Sequence, residues 1–308
     1  MHTPHLILGI GELLWDVLPQ GEQLGGAPAN FAVMAGNLGN HAAILSRIGR
    51  DDPGRRAVEI LDPQPADTSH VQVDPVHPTG RVTVGLQDGQ PDYLIHQPAA
   101  WDFMELSNEW VQLAERADAI CFGTLAQRGQ ESRHTIQTLA AEASAECVRI
   151  FDVNLRAPFY SNEVLQESLE LATVAKMNDA ELPLVLGMLG LPMEVGQGAA
   201  GLRTGAEQLL AEFPALRMVA VTRGDQGSLL MTRHEWHEHP GVQVTVADAI
   251  GAGDAFTAAM THYMLRGAGL STLNEAGNRW GGWVASQSGG MPQVTGAVRA
   301  GIAAVIEA

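Results

Sequence analysis

Short apolar runs alternate with amphipathic stretches along most of the chain. The runs HLILGIG, AICFGTL, VRIFDV and MVAVT are rich in Ile, Val, Leu or Phe and end at small or polar residues. Runs of this kind are typical of strands buried in a parallel sheet. Apolar residues at helical spacing mark the stretches between them, among them NFAVMAGNLG, SRHTIQTLAAEAS, NEVLQESLELA and GAEQLLAEF. Strand alternating with helix predicts an α/β fold in which a parallel sheet is covered on both faces.

Residues 71–103 break this rhythm. GRVTVGL and DYLIHQ alternate apolar and polar residues on either side of QDGQP, whose Asp-Gly pair is a hairpin signal. With the helix-poor segment 12–24, this hairpin predicts a small sheet inserted into a single domain of residues 1–308. Such a sheet is either a lid that excludes water during transfer chemistry or an edge hairpin without function. Its uncovered face and edges also predict a homodimer.

The C-terminal third contains two further predicted elements. VQVTVADAI, residues 242–250, is predicted to be a strand that leads through the turn GAG into the helical stretch DAFTAAMTHYMLRG. A second helix is predicted to run from Asn278 to Gly289 and Gly290.

Composition and charge limit the partners of the chain. The net charge of −17 argues against a nucleic-acid partner, because binding a phosphate backbone needs a basic surface. An acidic enzyme can still handle phosphate through local amide dipoles and metal ions. Cys121 and Cys147 form no metal-binding or redox spacing, and we find neither a basic, cleavable leader nor the roughly 20 apolar residues that span a bilayer. We therefore expect a cytoplasmic protein without a membrane partner.

The sequence GAGD, residues 251–254, places three small residues before an acid at a predicted helix start. The backbone N–H groups of Gly251, Ala252 and Gly253 can approach an anion closely, with the helix dipole behind them. A transferring phosphoryl group suits such a nest, and Asp254 then stands where it can accept the proton of an attacking hydroxyl. Taken alone, the motif is better explained by a glycine-rich turn in which Asp254 stabilises the helix dipole.

Three segments carry side chains that suit hydroxyl groups. Asn30 follows GGAPA near a predicted helix start, where it is either a helix cap or a ligand of vicinal hydroxyls. Asp16 follows an apolar strand and is either a turn residue or an acceptor for sugar hydroxyls. In FDVNLR, Asp152, Asn154 and Arg156 occupy alternate positions, so they project to one side if the extended geometry persists.

The segment KMNDAE contains Lys176, the only lysine of the chain. Codon bias explains the preference for arginine elsewhere but not why this one lysine remains. Asn178 and Glu181 are oxygen donors three residues apart, a pattern consistent with a hydrated Mg²⁺ held through water. The start of a surface helix has the same composition. In VTRGDQGSLL, Thr222 and the glycines that follow it could border a nucleotide base, although the letters alone do not require it.

Together these segments resemble the ribokinase-like, or PfkB, carbohydrate kinases. GGAPANFAVMAGNLG is similar to the first signature of that family and DAIGAGDAF to the second, with FDVNLRAPFY, KMNDAEL and VTRGDQGSLL between them in the expected order. PTGRVTV followed by AAWD is most similar to the bacterial fructokinase-like branch. The resemblance covers about residues 5–300 and implies a three-layer ribokinase-like α/β fold with a small β-sheet lid. It also implies ATP-dependent phosphorylation of a small sugar, with fructose or a related ketose or sugar acid as the expected acceptor.

The resemblance further implies a role for each matched residue. The expected catalytic base is Asp254, and the expected anion hole is Gly251, Ala252 and Gly253. The expected sugar ligands are Asp16, Gly26, Asn30 and Arg156. The expected nucleotide ligands are Asn178, Thr222, Gly224, Gly227 and Asn278. Two residues are expected near cations: Glu181 for Mg²⁺ through water, and Asp248 in a loop for a monovalent cation such as K⁺.

One departure and three alternatives accompany this interpretation. Family members often carry Asp-Thr before Gly-Ala-Gly-Asp, whereas Ala249 and Ile250 stand here, so K⁺ would depend more on backbone carbonyls. A nucleoside kinase of the same superfamily needs an apolar or aromatic wall for the base, but only 5% of residues are aromatic and the lid offers chiefly Tyr93 and Trp101. A non-catalytic sugar or nucleotide sensor is favoured only if Asp254 or its turn is degraded, and both are intact. A dinucleotide dehydrogenase is disfavoured because GIGELL lacks the third glycine.

Overall fold

An eight-stranded sheet organises the structure, a computed structural model that describes residues 4–18, 21–87, 90–191 and 198–307. The strands of these residues are β1 (Leu6–Ile10), β2 (Leu14–Leu18), β3 (Gly21–Gly25), β4 (His41–Leu45), β5 (Arg47–Gly49), β6 (Gln72–Asp74), β7 (Gly80–Gln87), β8 (Gln90–Ile95), β9 (Ala119–Gly123), β10 (Val148–Asp152), β11 (Val174–Asn178), β12 (Met218–Thr222), β13 (Ser228–Thr232) and β14 (Trp236–His239). The helices are α1 (Ala27–Asn37), α2 (Asp52–Leu61), α3 (Asn108–Arg116), α4 (Gln130–Glu142), α5 (Asn162–Leu171), α6 (Glu181–Met188), α7 (Ala199–Glu212), α8 (Ala252–Met264), α9 (Leu270–Ala285) and α10 (Gly296–Ile306).

The central sheet has the strand order β14-β13-β12-β11-β10-β9-β1-β4. Six neighbouring strands of this sheet run parallel, namely β4, β1, β9, β10, β11 and β12. The strands β13 and β14 are antiparallel and lie at one edge. Successive side chains of a strand point to opposite faces. In β9, Ala119 and Cys121 therefore pack in the core with α1, α8 and α9, whereas Ile120 and Phe122 pack in the core with α3 to α7. The predicted α/β fold, with a mostly parallel sheet between helical layers, is confirmed.

A second sheet, which we call the lid sheet, has the order β3-β2-β7-β8. β7 and β8 are antiparallel, which confirms the predicted hairpin, and its turn at 88–89 lies outside the described residues. β2 pairs in parallel with β7, so both predicted lid segments contribute strands to this sheet. Trp15 of β2 donates its Nε1–H to the carbonyl of Pro53 at 3.0 Å, which ties the sheet to α2. Residues 72–74, within the second predicted segment, pair with β5 instead.

The predicted strand at 242–250 is wrong. This segment has an irregular backbone and lies along α9, where the amide of Asp248 donates to the carbonyl of Ala285 at 3.2 Å. The side chain of Val244 lies beside Gly282 of α9. Val242 and Val244 therefore pack against a helix, whereas Val246 is exposed, and an alternating pattern does not distinguish this arrangement from a place in a sheet.

The predicted helix at Asn278 begins earlier, at Leu270, and ends at Ala285, so Asn278 lies within α9. Gly277 lowers the helix propensity of the turns that the prediction missed. It is needed for packing, because a Cβ at Gly277 would be 2.5 Å from the ring of Phe256 in α8. The close approach of α8 and α9 thus explains why propensity alone missed the helix start.

The fold brings the carboxyl ends of β9, β10 and β11 to one edge of the sheet, together with the N-termini of α1 and α8. Parallel α/β sheets bind ligands at this edge. Within the described residues, no helix has the length and apolar character needed to cross a membrane.

Candidate active site

Asn30 and Asp254 form the centre of the candidate active site. Both side chains are buried, in the first turns of α1 and α8. The Nδ2 amide of Asn30 donates to Oδ2 of Asp254 at 2.7 Å, across 224 residues of sequence. The N-cap of α1 is Gly26, so Asn30 is not the cap. Oδ1 of Asn30 is buried and has no partner among the described residues, so it can accept a hydrogen bond from a ligand.

Glycine keeps the N-terminus of α8 open. Gly251 is the N-cap and has φ +75°, in the left-handed region that favours glycine. A Cβ there would be 2.5 Å from Cα of Gly290, so the cap packs directly on a second glycine turn. The first i→i−4 bond of the helix joins the Ala255 amide to the Gly251 carbonyl at 2.9 Å, and the Ala252 amide donates to Ala249 at 3.3 Å.

The amides of Gly253 and Asp254 come before that first helical bond. First-turn amides have no partner within their own helix, and they point at whatever lies beyond the N-terminus. Of the three residues predicted as the anion hole, Ala252 thus has a backbone acceptor at long distance, whereas Gly253 does not have one within the helix. The arrangement can bind an anion through the Gly253 and Asp254 amides.

Asp248 joins the two glycine turns. Its Oδ1 accepts from the Ile250 amide at 3.0 Å and its Oδ2 from the Gly289 amide at 3.2 Å. The neighbouring Gly290 packs on Asn30, because a Cβ at Gly290 would be 2.8 Å from the Asn30 amide group. Asp248 therefore holds the loop before α8 in place, in the position predicted for a monovalent-cation loop.

Lys176 and Asp152 form a buried ion pair beside α8. Nζ of Lys176 lies 3.1 Å from both carboxylate oxygens of Asp152, and both side chains are less than 10% exposed. The hydroxyl of Thr257 in α8 donates to Oδ2 of Asp152 at 3.3 Å. This pair connects the ends of β10 and β11 with the helix that carries Asp254.

The carboxyl of Asp254 titrates close to neutral pH. Burial and, after it, the negative charge of Asp152 raise the pKa of Asp254 to about 6. The ammonium of Lys176, the amide of Asn30 and the guanidinium of Arg156 act in the opposite direction. Asp254 is therefore largely ionised at pH 7 but protonates within mildly acidic solution.

Glu12, in the segment after β1, is a third buried acid of the site. Burial raises its pKa to about 7, its own amide opposes the rise, and the charge of Asp254 adds to it. The Arg156 guanidinium and the Ala27 amide, at the start of α1, lower the pKa again. Gly26 has φ +121°, and a Cβ there would be 2.3 Å from the Glu12 carbonyl oxygen, so a side chain at this position would overlap the backbone.

Asp16, in β2 of the lid sheet, also has a raised pKa. Burial raises it to about 6, Arg156 lowers it, and the charge of Asp248 raises it. A Cβ at Gly25 would be 2.7 Å from Oδ2 of Asp16, so glycine on the neighbouring strand leaves room for this carboxyl. The lid sheet thus presents its acid toward the same region as the loop before α8.

The projection of Asp152, Asn154 and Arg156 to one side depended on an extended backbone, and this condition is not met. β10 ends at Asp152, and Asn154 has φ +39°, so the extended geometry does not persist. Arg156 nevertheless lies near the site, where its charge lowers the pKa of Glu12, Asp16 and Asp254, while its side chain is exposed. The hydrogen bond that its guanidinium makes is local, from Nη1 to the carbonyl of Leu155 at 3.0 Å.

The residues predicted to bind nucleotide lie along the ends of β11, β12 and β13. Asn178 pairs with Thr222, and Thr222 pairs with Ser228. Asn278 of α9 donates from Nδ2 to the Ser228 hydroxyl at 2.7 Å. Gly224 and Gly227 have φ of +59° and +84° in the turn between β12 and β13.

Glu181 is held by backbone amides. Oε1 accepts from the Leu155 amide at 2.7 Å and Oε2 from the Asn178 amide at 2.8 Å. The Asn178 side chain in turn accepts from the Glu181 amide at 2.8 Å. Each carboxylate oxygen retains a further lone pair, which suits contact with metal-bound water rather than direct ligation. Within the described residues, no group of three or more His, Cys, Asp or Glu side chains could hold a metal ion by itself.

Comparison with known families decides the class of this site. The model of the pfkB family carbohydrate kinases matches residues 17–295. The chain belongs to this family. Its resemblance to the PfkB kinases, its ribokinase-like fold and a phosphotransferase activity with an alcohol acceptor, all predicted from the sequence, are thereby confirmed.

Curated and solved relatives agree with this assignment. The kinase is 29% identical to a Pyrococcus horikoshii protein named as an uncharacterised sugar kinase, over 87% of this chain and 85% of that protein. The solved ATP complex of that protein superposes with a TM-score of 0.78, at 27% identity over 92% of this chain and 94% of the other. An Escherichia coli fructokinase is 28% identical over 85% of each chain. A Vibrio cholerae fructokinase, solved with fructose, ADP and calcium, has a TM-score of 0.79 at 25% identity, over 98% of this chain and 99% of the other.

Sequence reasoning about the kinase missed Glu12 as a site residue. Glu12 lines a small cavity together with Cys121, Asp152 and Asn154, and its Oε2 is buried without a partner in the described residues. The available signal was an acid directly after an apolar strand and Gly11. That position does not by itself show that the acid turns inward.

Proposed function

We propose that this carbohydrate kinase transfers the γ-phosphate of ATP to a hydroxyl of a small sugar, with fructose or a related ketose or sugar acid as the acceptor. The observation that carries the proposal is the Asn30–Asp254 pair at the open N-terminus of α8. It combines a proton acceptor, an anion-binding helix start and a free hydrogen-bond acceptor within one buried region. Fructokinase relatives at 28% and 25% identity support the choice of acceptor.

Asp254 is the general base in this proposal. A base with a pKa of about 6 is ionised at neutral pH and still takes up the proton of an attacking hydroxyl. The turn Gly251 to Gly253 forms the anion hole, in which the amides of Gly253 and Asp254 stabilise charge on the transferring phosphoryl group. The small residues there let the phosphoryl group approach the backbone.

Asp16, Gly26, Asn30 and Arg156 bind the sugar in this proposal. The free Oδ1 of Asn30 accepts one sugar hydroxyl, and the carboxylate of Asp16 accepts others. Arg156 is exposed, and its charge lowers the pKa of both Asp16 and Asp254. An exposed cation near these acids suits a side chain that moves onto a polar substrate. The lid sheet then covers the sugar and excludes water that would compete with it for phosphate.

The nucleotide is proposed to lie along the strand ends that carry Asn178, Thr222, Gly224, Gly227 and Asn278. The ATP and ADP complexes of two relatives support this choice of cofactor. Mg²⁺ would reach Glu181 through water, where it would neutralise charge on the nucleotide phosphates. K⁺ would bind in the loop that Asp248 holds, through backbone carbonyls. A homodimer through the lid sheet completes the proposal.

The decisive experiment compares Asp254→Asn with the wild type across ketoses, aldoses, sugar acids and nucleosides. We expect the wild type to phosphorylate one of the first three classes in the presence of ATP and Mg²⁺. Asn keeps the shape and the contact with Asn30 but removes the base, so kcat should fall about 100-fold or more. Asp62→Asn, at an exposed position after α2, is the matched control and should keep full activity. An active Asp254→Asn variant, or turnover of nucleosides only, would contradict the proposal.

A further inference from the structure

We propose that Lys176 is a positioning residue for the transfer: its buried ammonium, held against Asp152 below the first turn of α8, keeps Asp254 in the form that accepts a proton. The inference rests on the proposed function, in which Asp254 is the base. It also gives Gly253 a second task, which is to leave room for this ammonium.

The geometry places the ammonium between the Asp152 carboxylate and the helix that carries the base. β10 and β11 are neighbours, with Asp152 and Lys176 in register, and Nζ reaches both carboxylate oxygens at 3.1 Å. On its other side, a Cβ at Gly253 would be 2.9 Å from Nζ. The absence of a side chain at Gly253, the residue before Asp254, thus leaves room for Lys176, which is itself 7% exposed. A cation in this position is shielded from water, so its field acts strongly on the neighbouring carboxylate.

Asp254 needs such a cation because acids surround it. The titratable and charged groups that face it from the neighbouring elements are Asp152 of β10, Lys176 of β11, Cys121 of β9, Glu12 after β1 and Arg156 after β10. Burial keeps the Cys121 thiol neutral, since it raises the pKa of this group well above its usual range. Of the two cations, Arg156 is exposed, so water and salt weaken its effect. Lys176 is therefore the principal counter-charge of the base.

The same geometry explains why this position is a lysine. Every other one of the 18 Lys and Arg residues of the chain is an arginine. An ammonium is a compact charge with three donors, whereas a guanidinium is a longer planar fork. Nζ already lies only 2.9 Å from where a Cβ of Gly253 would be, so a longer guanidinium would have to displace the first turn of α8. The site accepts the charge of lysine but not the volume of arginine.

Charge changes of opposite sign test the inference. The measurement is the pH dependence of kcat at saturating sugar and ATP, which reports groups of the bound complex. Lys176→Met removes the cation and should move the acidic limb of the profile up by roughly one pH unit. Asp152→Asn removes a neighbouring anion and should move the same limb down. Lys176→Arg keeps the charge but should lose at least about 10-fold in kcat at every pH, because it displaces the turn.

Two controls separate charge from folding. Arg116→Met removes an exposed cation from α3 and should leave the limb where it is. If Lys176→Met does not fold, the double variant Lys176→Met/Asp152→Asn removes both charges, and its limb should lie above that of Asp152→Asn alone. The inference is overturned if these variants lose activity while the limb keeps its wild-type position. The Asp254→Asn result distinguishes this failure from a failure of the proposed function. If Asp254→Asn is inactive and the acidic limbs of the Lys176 and Asp152 variants do not move, only the role of Lys176 is contradicted.

Discussion

Glu12 gives the fold a pH-dependent stability that can be worked from the structure. Its side chain is 4% exposed, and burial raises its pKa from the ordinary 4.5 to about 7. The folded state therefore binds this proton more tightly than the unfolded chain does. The resulting stabilisation is fully present below pH 4.5 and is lost as the pH rises through 7. A rise of this size corresponds to about 3 kcal/mol.

Glu12→Gln removes this dependence. Gln has nearly the same size and keeps an oxygen that can accept the Ala27 amide, but it cannot ionise. At pH 8 the wild type must bury a negative charge and the variant does not. We therefore expect the variant to be more stable than the wild type by up to about 3 kcal/mol at pH 8, and equally stable at pH 4.5.

Urea unfolding at pH 4.5, 6, 7 and 8 measures the difference between the two free energies of unfolding. Glu115→Gln, on the exposed face of α3, is the matched control and should stay within about 0.5 kcal/mol of the wild type at every pH. The reasoning is refuted if the gap for Glu12→Gln is the same at all four pH values. It is also refuted if this variant is the less stable protein at pH 8.

Two further predictions concern the glycine cap and the lid sheet. Gly251→Ala should lose at least about 10-fold in kcat, because its Cβ would be 2.5 Å from Gly290 and would push the cap away. Gly267→Ala has the same φ, +76°, but open space around it, so it should cost about 1 kcal/mol in unfolding and leave kcat unchanged. Sedimentation should show a wild-type dimer that Leu94→Glu, at an exposed lid position, converts to monomers; a monomeric wild type would exclude the dimer.

Local patterns in the sequence predicted most of the secondary structure because they record burial and backbone conformation. The apolar runs became β1, β9, β10 and β12, and the Asp-Gly signal predicted the hairpin of β7 and β8. These local patterns gave wrong predictions where the packing partner of a segment is distant in the sequence. Val242 and Val244 pack on α9 rather than on a strand. Gly277 weakened the helical pattern before Asn278, because it leaves room for Phe256 of α8.

The candidate site was predictable only where a local motif carried the chemistry. The turn before Asp254 and the segment around Asn30 were both recognisable, but nothing in either segment indicates that the two side chains are 2.7 Å apart. The same holds for Glu12, whose position after a strand does not reveal that it is buried. Lys176 stood out in the sequence as the only lysine. The explanation for a lysine at this position came only from its contacts with the neighbouring strand β10 and from the position of helix α8.

The sequence by itself determined the layered α/β architecture, the two glycine turns and the family of the enzyme. Each of these features can be predicted from local patterns or motifs of contiguous residues. Only the tertiary structure decided which charged groups lie close enough to influence one another electrostatically. The order of strands in the sheet sets β10 beside β11, and helix packing sets α8 above them. That arrangement brings Asp152, Lys176 and Asp254 together, and electrostatic coupling depends on distance through space rather than along the chain.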